Sequence, residues 1–193
     1  MSKRRPKKLA KTGDVTARLR KALAKCSKGE LIDVIVELAK EDHNVLRRLD
    51  ARLELDAPPQ ELVATTRRAI AEATDFDERD MNYNFDYDSE AYDEVKRNLA
   101  RLVGMGQFRL AMELSLELMK EGSRQVEASD EGLMTGDIEE CLAVVAQALK
   151  KSDFPPGEAI AWCAQMAKRD RVGFVFDREL GALRNHFEEL QRK

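Results

Sequence analysis

The sequence predicts an all-α fold of irregular stacked helical hairpins, about eight helices in number, and three observations lead there. Apolar residues recur at helical spacing over most of the chain, as in Leu62, Thr66, Ala69, Ile70 and Ala73, or in Ile138, Leu142, Val145, Ala146 and Leu149. Helix starts and stops are spelled at matching intervals by "SKGE" at 27–30, Pro58 and Pro59, Gly104 and Gly106, and "SDFPPGE" at 152–158. No stretch reads as a convincing sheet; the only sustained alternation lies in "DMNYNFDYDSE" at 80–90.

Residues 1–13, "MSKRRPKKLAKTG", lack apolar periodicity, contain Pro6 and Gly13 and repel themselves, so a disordered basic tail is expected. Residues 14–193 are expected to form one all-helical domain. Asp14 or Thr16 starts a first helix that runs to about Lys25. "SKGE" is a capping box, in which the Ser27 hydroxyl and the Glu30 carboxylate each satisfy an amide left open at a helix start. Leu31, Ile35, Leu38 and Ala39 line one face of the helix it opens. Asp42 caps a third, with Leu46, Leu49 and Leu53 at helical spacing, and Pro58 and Pro59 end that one and open a fourth.

The fourth helix ends near Thr74, where an acidic aromatic connector over 75–90 begins. From Ser89 the helical period returns through Tyr92, Val95, Leu99, Leu102 and Val103, and stops at Gly104 or Gly106. In "GQFRLAMELSLELMKEG" the glycine permits the positive φ of a tight turn. Phe108 there wedges between two helices, and Ala111 lets their backbones approach. A polar, Gly-containing connection at 123–137, or a further turn of the preceding helix followed by that connection, leads to the helix of Ile138 to Leu149. The next carries Ile160, Cys163, Ala164 and Ala167, and a last one carries Phe176, Leu180, Leu183, Phe187 and Leu190.

"LARLVGMGQFRLAMELSLEL" resembles the inner part of a tetratricopeptide repeat, an α-solenoid unit with Gly, an aromatic and Ala at the mouth of its second helix. The unit is not cleanly repeated here, and its usual Trp, Tyr and terminal Pro positions are altered. Over roughly 28–190 the order of features is similar to the helical region that accompanies SWIM zinc fingers in uncharacterised bacterial proteins. Those features are "KGELIDVIVELAKED", "FDYDSEAYDEV", the glycine hairpin, an acidic loop and "RVGFVFDREL". That resemblance implies an all-helical scaffold and a bacterial origin. It brings no catalytic residues, and the SWIM Cys and His ligands are not in this sequence, so it implies no zinc role.

Composition narrows the function classes. At 193 residues, 43% hydrophobic and 36% charged, the chain is long enough for one core and rich in charge. Its longest apolar stretches, such as "LIDVIVELA", are broken by Asp or Glu and fall short of the roughly 20 residues of a membrane span. The basic N-terminus is followed by no apolar segment, so no signal peptide is read and the cytoplasm is the expected compartment. Cys26, Cys141 and Cys163 are odd in number and widely spaced, as reduced structural thiols would be. The net charge of −3 conceals a polarity: residues 1–28 carry +10 and the other 165 carry −13.

Motifs for catalysis are missing. His43 and His186 are the only histidines, and the sequence contains no HExxH, CxxC, GxSxG, GxxxxGK[ST] or GxGxxG. No enzyme activity, cofactor or metal site is therefore expected. A calcium loop starting at Asp80 would have Asn82, Asn84, Asp86 and Asp88 as ligands. It would also put Phe85 where the turn needs Gly and Ala91 where a bidentate Glu belongs.

The expected function is a protein-interaction module, an adaptor or regulatory subunit of a larger assembly. Its candidate protein-binding residues are Asp80, Tyr83, Phe85, Asp86, Tyr87 and Asp88, on a segment (75–94) with nine acidic residues against Arg79 alone. Tyr83 and Tyr87 are equally candidates for the core, and Asp88 or Ser89 for a helix cap. The protein's own basic tail, in cis or from another copy, is one candidate partner for this segment. Lys3, Arg4, Arg5, Lys7 and Lys8 are the candidates for an acidic partner. The alternative is a nucleic-acid-associated accessory protein, in which that arm would neutralise phosphates without reading sequence.

Overall fold

Ser27 opens a helix as the capping box requires. The computed structural model describes residues 12–76, 87–129, 132 and 134–192. In it the Ser27 hydroxyl accepts from the Glu30 amide, while the Ser27 amide donates to the Glu30 carboxylate at 2.7 Å. The described residues form nine helices and no strand. They are α1 (Thr12–Leu23), α2 (Lys28–Glu41), α3 (His43–Leu53), α4 (Pro59–Ala73), α5 (Ser89–Gly104), α6 (Phe108–Ala128), α7 (Thr135–Lys150), α8 (Pro156–Arg169) and α9 (Asp177–Gln191). The expected all-α class of irregular stacked hairpins is the one observed, with one helix more than the approximate count. No described helix is long and apolar enough to cross a membrane.

The chain divides into two compact units, Met1–Leu55 and Asp56–Lys193. In the second, α6 is the central element. It is the longest helix at 21 residues and packs against α4, α5, α7 and α8, while α5 packs on α4 and α7, and α9 on α7 and α8. Among the described residues every buried apolar side chain lies between Leu62 and Phe187. The stripes of α4 and α7 are buried at all the expected positions, and those of α5 and α9 at all but Val103 and Leu190. In α8 the buried face is Ala159, Trp162, Cys163 and Met166, one residue out of phase with the expected stripe, because the indole carries the packing there while Ala164 and Ala167 are exposed.

The hairpin turn between α5 and α6 follows from its glycine. Gly106 has φ +72°, its amide donates to the Val103 carbonyl, and the Gln107 amide donates to the Leu102 carbonyl at 2.9 Å. These two bonds close the helix end in a Schellman motif, which needs a left-handed residue at that position. Where α6 crosses α7, a Cβ on Gly122 would stand 2.8 Å from Ile138 Cδ1, so the missing side chain sets how near the two helices come.

The first unit differs in kind. Within it α2 packs against α3, and α2 has no buried residue at all. The described side chains of α1 from Val15 onward are exposed, and Arg47 is the only buried residue of α3. The stripe of Leu31, Ile35, Leu38 and Ala39 has the expected helical spacing, but Leu31 and Ala39 are only half-buried and Ile35 and Leu38 are exposed.

Candidate functional site

Of the six candidate protein-binding residues, Tyr87 and Asp88 are among the described residues; Asp80, Tyr83, Phe85 and Asp86 lie outside them, as do Asn82 and Asn84 of the candidate calcium register. Asp88 caps α5, its carboxylate accepting from the Ala91 amide at 2.9 Å. Tyr87 is half-buried against the core, its ring edge-on to Tyr92 at 6.0 Å, and its hydroxyl donates to Asp137 Oδ2 at 2.7 Å. Tyr87 thus docks on α5 and α7. Lys3, Arg4, Arg5, Lys7 and Lys8 also lie outside the described residues.

The bond to Asp137 stabilises the neutral phenol and, with burial, pushes the Tyr87 pKa from its ordinary 10 up to about 12. The neutral form is the one the fold favours. Its contribution to stability is therefore complete below pH 10 and lost as pH rises through about 12. Tyr87→Phe should flatten the pH dependence of the urea midpoint in that window. An unchanged alkaline limb would show that the Tyr87 hydroxyl does not titrate in contact with Asp137.

Burial likewise pushes the Cys141 thiol up to about 12 and the Cys163 thiol up to about 11, and Cys141 Sγ donates to the Tyr92 carbonyl at 3.3 Å. Cys26 is exposed. A maleimide should therefore modify the native protein once, at Cys26, and label all three thiols only after unfolding. Rapid labelling of two or three sites in the native state would contradict the packing of α7 and α8.

The unit of α4 to α9 also has a concavity that the sequence reading missed. The turn before α6 and the turn before α8 lie side by side and form a cleft of about 450 Å³, lined by Gly106 to Leu110 and Ser152 to Pro155. Phe108 is partly buried against the core and packs on Phe154, with ring centres 5.8 Å apart. Arg109 lies over the Phe154 ring at 5.6 Å and makes a two-pronged ion pair with Glu158, at 2.9 and 2.8 Å. The visible signal was an aromatic at the mouth of each helix, Phe108 after a glycine turn and Phe154 before a proline pair; their meeting was not visible.

Two further groups of side chains tie helices together. Arg67 bridges α4 to Glu113 and Glu117 of α6, and Lys96 bridges α5 to Glu140 of α7. These pairs are solvent-exposed, so they orient helices more than they stabilise them, contributing roughly 0–1 kcal/mol each. Asp170 organises the approach to α9, accepting from the Val172 and Val175 amides at 3.1 and 2.8 Å. Among the described residues no group of three or more His, Cys, Asp or Glu is placed to hold a metal ion.

The most extended candidate surface is apolar and belongs to the first unit. Val15 and Leu19 on α1, Ile32, Val34, Ile35, Val36 and Leu38 on α2, and Leu46 and Leu53 on α3 are all exposed, Val15 and Leu53 by about 60%. The apolar residues of α2 between Leu31 and Ala39 span roughly 200° of the helix at 3.6 residues per turn, about twice the width of an ordinary core-facing stripe.

No family model matches this chain, and neither a curated protein nor a solved structure matches it. The similarity to the helical region beside SWIM zinc fingers therefore rests on the order of sequence features alone. The all-helical hairpin arrangement rests on the coordinates.

Proposed function

We propose that this chain is a non-enzymatic helical scaffold, tetratricopeptide-like in its central hairpin, that acts by holding protein partners as an adaptor or regulatory subunit. The observation that carries this reading is the contrast between the units. One has closed a core around α6, while α1 to α3 present wide apolar faces with no buried apolar residue among those described. Helices of 11 to 14 residues are marginal in water by themselves, and a helix that is apolar over half its circumference gains most of its stability by being covered. A second support is that ionisable and polar groups inside the larger unit bond to one another across helices. Tyr92 donates to Gln125, Tyr87 to Asp137, and the Ser123 hydroxyl to the Arg169 carbonyl.

The basic arm favours a second reading, an accessory protein that contacts nucleic acid. Its charge of +10 over residues 1–28 would give binding that falls steeply with salt and ignores sequence.

Affinity co-purification from the native host separates the two, comparing the full chain with a version lacking residues 1–13 at low and high salt. The scaffold reading expects a defined protein partner that persists without the arm and in high salt. Recovery of nucleic acid alone, lost with the arm, would replace it with the accessory reading.

A further inference from the structure

We infer that the face formed by α1 to α3 is a self-association surface, and that its occupant is the same face of a second copy of this chain. The inference deepens the scaffold reading and rests on it, since it names what covers the apolar unit. Three observations single out the second copy.

The first is supply. Among the described residues of Asp56–Lys193 the exposed large apolar side chains are Met105, Phe174 and Leu190, far apart in sequence and on different elements. Most of the other large apolar residues described in that unit are packed in or against its own core. Among the described residues, the apolar face that matches α1 to α3 in extent and helical spacing is another α1 to α3.

The second is area. The large apolar side chains exposed on this unit present together on the order of 900 Å², against about 800 Å² contributed by each partner to a standard interface. A self-complementary pairing about a two-fold axis would use the whole surface in both copies.

The third is charge. Helix α1 carries Arg18, Arg20 and Lys21 against Asp14, whereas α2 carries Glu30, Asp33, Glu37 and Glu41 against Lys28 and Lys40. On α1, Arg18 is three residues beyond Val15 and Arg20 three before Leu23, so both border the apolar stripe. On α2, Glu37 is three beyond Val34 and Glu41 three beyond Leu38. One helix is basic along its apolar edge and the other acidic, so α1 of one copy on α2 of the other forms the favourable pairing twice. The Val15, Leu19, Ala22 spacing of four and three suits such helix-on-helix seams.

The test is sedimentation equilibrium of the full chain across the micromolar range, with Trp162 fluorescence reporting the fold of the larger unit. The wild type should show a dimer of the 21.9 kDa chain, and Ile35→Glu with Leu38→Glu should weaken association at least tenfold while leaving the fluorescence unfolding midpoint in place. Charge reversal tests the pairing. Arg18→Glu with Arg20→Glu makes both helices acidic, and Glu37→Lys with Glu41→Lys makes both basic; each variant alone should associate poorly, and an equimolar mixture should form the heterodimer. Glu30 is left in place because it closes the capping box.

A wild type that stays monomeric throughout overturns the inference, and so does a mixture that associates no better than its components. Capture of a defined host protein then separates the two levels. A monomer that captures one through this face, and loses it with the Ile35 and Leu38 changes, ends the self-association inference and leaves the scaffold reading standing. A monomer that captures none ends both.

Discussion

Trp162→Ala is expected to destabilise the protein by about 3–5 kcal/mol, the range for deleting a buried large aromatic. The chain's single tryptophan is 2% exposed on α8, and its Nε1 donates to the Met112 carbonyl of α6 at 3.0 Å. The indole therefore fills the contact between α6 and α8 and fixes their relative height. Against a typical total of about 5–15 kcal/mol, such a loss would leave a substantial unfolded fraction at 37 °C. Trp162→Phe is the informative companion. It keeps most of the buried ring and removes only the N–H, and the Met112 carbonyl retains the amide four residues on in its own helix. Its cost should be about 1–2 kcal/mol. Urea unfolding followed by far-ultraviolet circular dichroism measures both. A cost below about 1 kcal/mol for the alanine variant would mean that α8 does not pack on α6 through this side chain.

The second large effect is expected at Gln125. Its side chain is fully buried in α6, where Oε1 accepts from the Tyr92 hydroxyl at 2.7 Å and Nε2 donates to the Ala73 carbonyl at 3.0 Å. Ala73 is the last residue of α4, so its carbonyl has no partner within the helix. One amide thus satisfies a helix end on one side and a buried phenol on the other. Gln125→Leu conserves volume but strands both groups, at about 1–3 kcal/mol each, so a loss of roughly 2–6 kcal/mol is expected. Tyr92→Phe removes one of the stranded groups. The double variant should therefore be more stable than the sum of the single losses predicts, with a coupling of about 1–2 kcal/mol. Strict additivity would show that the Tyr92 to Gln125 bond contributes nothing to the fold.

These two residues mark where legibility ends. Trp162 was visible as the only tryptophan, yet the stripe expected on α8 ran through Ile160, Ala164 and Ala167. With small residues on several sides of a short helix, periodicity alone does not choose the phase. Gln125 falls where a polar connection and a further turn of α6 are both allowed, and its burial is not legible, because a polar residue buried by a contact 52 positions away carries no local mark. Phe108 and Ala111 were recognised as packing residues of a turn, but the ring of Phe108 meets Phe154 of another turn, so the cleft they form was not anticipated. Of the expected site residues that are described, Tyr87 and Asp88 are engaged with their own chain as anchor and cap, two structural roles the sequence allows.

Local order was the share the sequence determined by itself: the all-helical class, the capping box at Ser27 and Glu30, the glycine turn at 106, and the apolar stripes of α4, α5, α7 and α9. Each depends on residues within a turn or two of one another, where steric limits, amide satisfaction and the helical repeat act directly. Only the tertiary structure decided which stripes are covered. Leu62 to Ala73 and Leu31 to Ala39 both carry apolar helical faces, but the first is buried beneath α5 and α6 and the second is left open. Covering a stripe requires a second apolar surface from elsewhere in the chain, or from another molecule, and the segment itself does not encode that encounter.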